Sequence, residues 1–251
     1  MISIQNVSKR YGNAQVLNGV TADIPAGKIT ALIGANGAGK STLLAIISRL
    51  LKGEGKVLLE GKDIDAYKDN ELACRMATLR QNVQVMARLT VRELVSFGRY
   101  PYSKSRLSDR DREIVQDAIE HMALNHLADA FVDRLSGGER QRAFIAMVIA
   151  QDTPTILLDE PLNNLDMHHG VQIMRLVKKL CQEKGKTVVL VIHDIHFALA
   201  YADYIVALKD GVLVAAGDAQ EVVTEALLHK LYGMPFAIRE VEGQRICLFD
   251  P

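Results

Sequence analysis

Residues 34–42 read Gly34-Ala35-Asn36-Gly37-Ala38-Gly39-Lys40-Ser41-Thr42, between an apolar run at 29–33 and a helical periodicity over 40–51. The spacing is that of a phosphate-binding loop, and strand before with helix after is the setting such a loop requires. Glycines let backbone N–H groups turn inward around a β-phosphate without Cβ clashes. The N-terminus of the following helix adds partial positive charge. Lys40 suits a bridge between β- and γ-phosphates, and Ser41 suits a magnesium ligand. A solvated lysine after an ordinary glycine-rich turn is the plainer alternative, and it leaves the full pattern unexplained.

Phosphates that carry magnesium call for acidic groups nearby. Ile156-Leu157-Leu158-Asp159-Glu160 supplies them, as an apolar strand delivering two carboxylates at its C-terminal end. Asp159 suits the metal, directly or through water, and Glu160 suits polarising an attacking water. Twenty-odd residues earlier stands Leu135-Ser136-Gly137-Gly138-Glu139-Arg140-Gln141-Arg142. Ser136 and Glu139 fit a capping box that opens a helix through 150. Gly137 and Gly138 leave the backbone bare there, which makes a second helix terminus able to receive an anion.

Around these segments the pattern predicts strands at 2–7, 16–24, 29–33 and 55–59. Residues 91–150 carry helical spacing, with Ile114, Ala118, Ile119 and Met122 as one stripe, a start at Ser108, and interruptions at Gly98 and Pro101. Strands are expected again at 155–158 and 187–192, with a helix over 167–182 between them. A hairpin is expected at 205–208 and 212–216 through Lys209-Asp210-Gly211. A helix over 219–232 and a short strand at 245–249 close the chain. The expectation is an α/β core with a parallel sheet, interrupted by a helical insertion.

Taken in this order the motifs resemble those of the ATP-binding cassette ATPases, over residues 1–217. The resemblance implies a P-loop NTPase (RecA-like) core, an N-terminal antiparallel β lobe and a helical subdomain. The boundaries expected are a core at about 1–80 and 153–217, the helical subdomain at about 81–152, and a C-terminal extension at about 218–251. It implies ATP and Mg²⁺ as ligands, and two copies packed head-to-tail about a two-fold axis. Each ATP would then lie between the phosphate loop of one copy and Ser136, Gly137 and Gly138 of the other. By the same resemblance Tyr11 stacks on adenine, and Gln81 touches Mg²⁺ and water and senses the transporter. His193 contacts the γ-phosphate, and Asp166 belongs to the loop between subunits. Departures from the family pattern are Ala35, Arg80, Glu139 and the pair Asn163-Asn164, which puts the details of subunit communication in doubt.

Thr90-Val91-Arg92-Glu93-Leu94 and Phe97-Gly98-Arg99-Tyr100-Pro101-Tyr102 are similar to the branch that serves iron(III)–siderophore, haem and vitamin B12 permeases. The stretches 159–167 and 191–196 look most like ferric-siderophore members. The partners implied are transmembrane permease subunits and, indirectly, a periplasmic or extracellular substrate-binding protein. The place implied is peripheral, at the cytoplasmic face of the cell membrane. Import of haem or vitamin B12 is the alternative within the branch; a soluble cassette ATPase working on DNA or ribosomes is the alternative outside it.

Composition narrows the field. The 251 residues hold 30 basic and 30 acidic side chains, so the formal charge is zero. No strong field points to nucleic acid or an anionic membrane, and no nucleic-acid partner is expected. Cys74, Cys181 and Cys247 form no CxxC pair and are expected as free thiols. The first residues carry no leader pattern, and no apolar run reaches the ~18 residues of a spanning helix.

Overall fold

The computed structural model describes residues 1–81, 87–104 and 106–249. Residues 82–86 and 105 of the expected helical subdomain, and 250–251 of the expected extension, lie outside the described residues. The chain opens with two antiparallel strands, β1 (Ile2–Tyr11) and β2 (Ala14–Ile24). β1 runs past 7, its expected end, because pairing with β2 continues to the Tyr11–Ala14 contact. β3 (Ile29–Ile33) feeds the glycine-rich turn and α1 (Lys40–Ile47). This helix stops short of 51, since Arg49 takes φ 58°, a left-handed conformation that a right-handed helix excludes. β4 (Glu54–Leu59) and β5 (Lys62–Asp63) complete a four-stranded antiparallel sheet of order β2–β1–β4–β5.

After α2 (Asp69–Ala73), β6 (Met76–Leu79) joins the main sheet. Neither element was expected: β6 is short, and its parallel pairing with a distant strand, not its local pattern, makes it a strand. The helical segment is not continuous. It divides into α3 (Val91–Ser96), α4 (Tyr100–Ser103), α5 (Asp109–His121) and α6 (Gly137–Ala150). Pro101 does not interrupt it but sits in the first turn of α4, where its missing N–H is not needed. Gly98 does mark a break, and also a close approach: a Cβ there would lie 2.2 Å from the Met147 carbonyl oxygen of α6. On α5, Val115, Ala118, Ile119 and Met122 are buried, and Ile114 is only half-buried, so the stripe turns about the helix by one residue from that expected. Capping boxes at Thr90, Ser108 and Ser136 open α3, α5 and α6.

The chain then alternates through β7 (Thr155–Asp159), α7 (Met167–Lys184), β8 (Thr187–Val191), α8 (Ile195–Tyr201), β9 (Tyr204–Lys209) and β10 (Val212–Asp218). The six-stranded sheet has the order β10–β9–β3–β8–β7–β6, parallel from β6 to β9 with β10 as an antiparallel edge. The β9–β10 hairpin turns as expected, with Asp210 at φ 49° and Gly211 at φ 77°. The helix expected over 219–232 is two, α9 (Ala219–Val222) and α10 (Glu225–Tyr232), because Thr224 caps the second by accepting from Leu227 N–H. A hairpin of β11 (Phe236–Val241) and β12 (Gln244–Phe249) ends the described chain. β12 was expected and its partner β11 was missed.

Both faces of the main sheet are covered. Ile29, Ala31, Ile33, Val188 and Leu190 face one apolar core, while Leu32, Val189 and Val191 face another shared with β1, β2 and α1. That is why β3 and β8 read as nearly continuous apolar runs, with only Thr30 and Thr187 polar. Burying the sheet on both sides leaves one place where its polar ends can work: the edge at the C-terminal ends of β3, β7 and β8. Cys181 and Cys247 are buried, Cys74 is half-buried, and all are free. No helix among the described residues is long and apolar enough to cross a membrane.

Candidate active site

At that edge opens a cleft of about 970 Å³, lined by the phosphate loop, Tyr11, Val16, Gln81, Glu160, His193 and Tyr232. The loop leaves β3 through Gly34 at φ 144°, where a Cβ would meet the Leu208 carbonyl oxygen at 2.1 Å. Gly39, at φ 96°, is the N-cap of α1, and no side chain caps that helix. The first turn of α1 therefore keeps its N–H groups for a ligand, unlike the capped α3, α5 and α6. Asn36, Gly37, Gly39, Lys40, Ser41 and Thr42 all line the cleft. Ala38 does not: it is buried, and its carbonyl accepts from Gly211 N–H at 3.3 Å.

Lys40 is buried, and its ammonium donates to the Gly34 and Ala35 carbonyls at 2.8 and 2.9 Å. Burial lowers its pKa, against the nearby Glu160 and Asp159 charges, which raise it. Ser41 Oγ donates to Asp159 Oδ1 at 2.8 Å, which joins the loop to the end of β7. Burial pushes the Asp159 carboxyl up, the Glu160 charge adds to this, and the Ser41 hydrogen bond opposes it.

Glu160 is held by Gln81 Nε2, Asn163 Nδ2 and His193 Nε2, contributed by the segments after β6, β7 and β8. Burial alone would raise its pKa; the His193, Asn163 and Gln81 contacts hold it below the usual carboxylate range. The carboxylate is thus kept ionised at the mouth of a phosphate cradle, as a water-activating base must be. Ser41, Asp159 and Gln81 offer hydroxyl, carboxylate and amide oxygens, a hard-oxygen set that suits Mg²⁺.

The chain thus sets a phosphate cradle after β3, an acid pair at the end of β7 and a second glycine-opened helix at α6. A family profile described as ABC transporter matches residues 17–163. The chain belongs to that family. It is 51% identical over 250 residues to the "Petrobactin import ATP-binding protein YclP" of Bacillus subtilis (strain 168), covering 99% of each chain. It is 44% identical to the "Ferric enterobactin transport ATP-binding protein FepC" of Escherichia coli (strain K12), over 89% of this chain and 84% of that one. Among solved structures it resembles a dimeric, post-hydrolysis state of the ATP-binding cassette MJ0796 bound to ADP and Pi. The TM-score is 0.79, with 32% identity, over 87% of this chain and 99% of that chain.

In this ABC cassette the fold does not bring every expected site residue to the cleft. Ser136, Gly137 and Gly138 lie outside its lining, and the two glycines pack against Asn164 and Leu165. Ser136 Oγ donates to Glu139 Oε2 at 2.7 Å, the expected capping box. Asp166 caps α7, accepting from His169 N–H at 2.8 Å, and borders a neighbouring hollow with Glu160 and His193. Tyr11 lines the cleft and is 51% exposed, with the Lys9 ammonium over its ring at 5.4 Å from the centroid. Residues of the site that escaped the sequence reading include Val16 and Tyr232, which line the cleft, and Asn163, which holds Glu160 from the neighbouring hollow. Asn163 was noted only as a departure, although its place three residues after Glu160 in a turn was a usable signal. Tyr232 carried no signal, since only the fold brings α10 to the loop.

Proposed function

We propose that this chain is the ATP-hydrolysing subunit of an iron(III)–siderophore importer, working as a head-to-tail pair on the cytoplasmic face of the cell membrane. The observation that carries the chemistry is Glu160, fastened by donors from three segments opposite an uncapped phosphate-loop helix. Its place outside the lining of its own chain's cleft supports Ser136–Gly138 as the surface that closes on a second copy's nucleotide. The cargo reading is supported by likeness, over most of each chain, to proteins named for petrobactin import and ferric enterobactin transport.

In this reading Tyr11 stacks on the adenine, and the N–H groups of the loop and α1 hold the phosphates. Lys40 exchanges its two carbonyl partners for β- and γ-phosphate oxygens. Ser41, Asp159 and Gln81 would hold Mg²⁺, which would neutralise negative charge on the phosphates. Glu160 accepts a proton from the attacking water, and His193 donates to the γ-phosphate. Asp166 carries the state of one site to the other copy. Permease subunits receive the stroke, and a periplasmic or extracellular binding protein delivers cargo to them. Phe97 and Tyr100 are 54% and 59% exposed beside α3, and such aromatic side chains suit a permease helix.

The test is deletion of this subunit, then growth under iron limitation with siderophores supplied singly. Loss of growth on one or a few, restored by the wild-type chain and not by Glu160→Gln, is the expected result. Unimpaired use of every siderophore overturns the cargo assignment.

A further inference from the structure

Tyr232 ends α10, far beyond the stretch that matches the family, yet it lines the same cleft as Gly34 and Ala35. Its hydroxyl oxygen is buried and has no hydrogen-bond partner among the described residues. A buried hydroxyl without a partner is unfavourable, and such a group calls for an explanation. Burial raises the phenol's pKa, and the nearby Gly34 backbone opposes this.

The ring has little freedom. It packs on Phe236 with centroids 5.6 Å apart, Phe236 packs on Phe249 at 5.6 Å, and Phe249 meets the His196 ring of α8 edge-on at 6.0 Å. Gly34 is equally fixed, pressed against the Leu208 carbonyl. Its own carbonyl accepts from Lys40. Once Lys40 turns to phosphate, that carbonyl loses a charged donor, while the Tyr232 hydroxyl near the Gly34 backbone has no partner among the described residues.

We propose that Tyr232 is a positioning residue for the phosphate loop, its hydroxyl engaging the Gly34 backbone as Lys40 leaves it for the triphosphate. The proposal rests on the ATP reading above. It makes the C-terminal hairpin and α10 part of the nucleotide site, through one oxygen atom.

The test is Tyr232→Phe in the full chain, which keeps the ring stack and removes only the hydroxyl. Affinity for a fluorescent ATP analogue should fall, and the KM for ATP should rise, by about three- to tenfold, the span of one neutral hydrogen bond. The kcat should stay within about twofold, and the thermal midpoint should not fall. Unchanged affinity and KM overturn the proposal, as does a lowered midpoint with unchanged KM, which marks a packing role only. Lys40→Ala separates the two readings. If it binds the analogue like the wild type, the nucleotide site itself is misassigned. If it binds weakly while Tyr232→Phe binds normally, only the role of Tyr232 falls.

Discussion

Glu160 adopts φ 50°, a left-handed conformation unusual for a residue with a side chain. Strain of this kind persists where surrounding contacts over-determine it, and here His193, Asn163 and Gln81 do so. Glu160→Gln should keep nucleotide binding and lose turnover by about 10²-fold or more, read as phosphate release. Asn163→Ala removes one of the contacts that hold the carboxyl low and leaves its burial in place. The folded-state pKa should then rise, and the acid limb of the pH–rate profile should move to higher pH; an unmoved limb would exclude Asn163 from tuning the base.

The helical elements depend on a buried ion pair as well as on apolar packing. Arg99 Nε donates to Asp111 Oδ1 at 2.8 Å, and Arg99 also reaches the Ala150 carbonyl at the end of α6. The Ser108 hydroxyl, with Arg99, holds the Asp111 pKa down at about 2. A carboxyl depressed on folding stabilises the fold above its unfolded value, about 3.9, and that contribution is lost as pH falls through the folded value. Denaturation midpoints should therefore drop between about pH 4 and pH 2, and Asp111→Asn should flatten that drop. Arg99→Ala, which leaves a buried charge uncompensated, should cost about 3–5 kcal/mol in equilibrium unfolding. Elements were legible in the sequence where their cause was local. The Ser136 and Ser108 caps, the loop at 34–42 and the Asp210-Gly211 turn declare themselves within a few residues. β6 and β11 did not, because each is a strand only by virtue of its partner. For the same reason Tyr232 could not be read as a cleft residue, while Lys40 and Glu160 could.

The whole molecule offers a nucleotide cleft and, apart from it, a glycine-opened helix end, which in the function proposed above two copies would complete for each other. Gly137 has room for a side chain, since a Cβ would meet only the Asn164 Cβ at 3.7 Å. Gly137→Asp should fold normally while setting a carboxylate where phosphate is to seat, a like-charge contact worth several kcal/mol. Light scattering with ATP and Mg²⁺ in a Glu160→Gln background should report dimers, and the added Gly137→Asp should return monomers. Phe97→Ala, by contrast, should leave ATP hydrolysis by the isolated chain within about twofold and weaken capture of the permease. The three supports of Glu160 come from chain segments that lie apart, and one of them, Gln81, follows a strand at the rim of the sheet. Withdrawing Gln81 would remove one of the contacts that lower the Glu160 pKa, and the acid would then keep its proton to higher pH. The proton affinity of Glu160 is therefore tied to where the outermost strand of the sheet sits, and a shift there would be felt at the carboxyl.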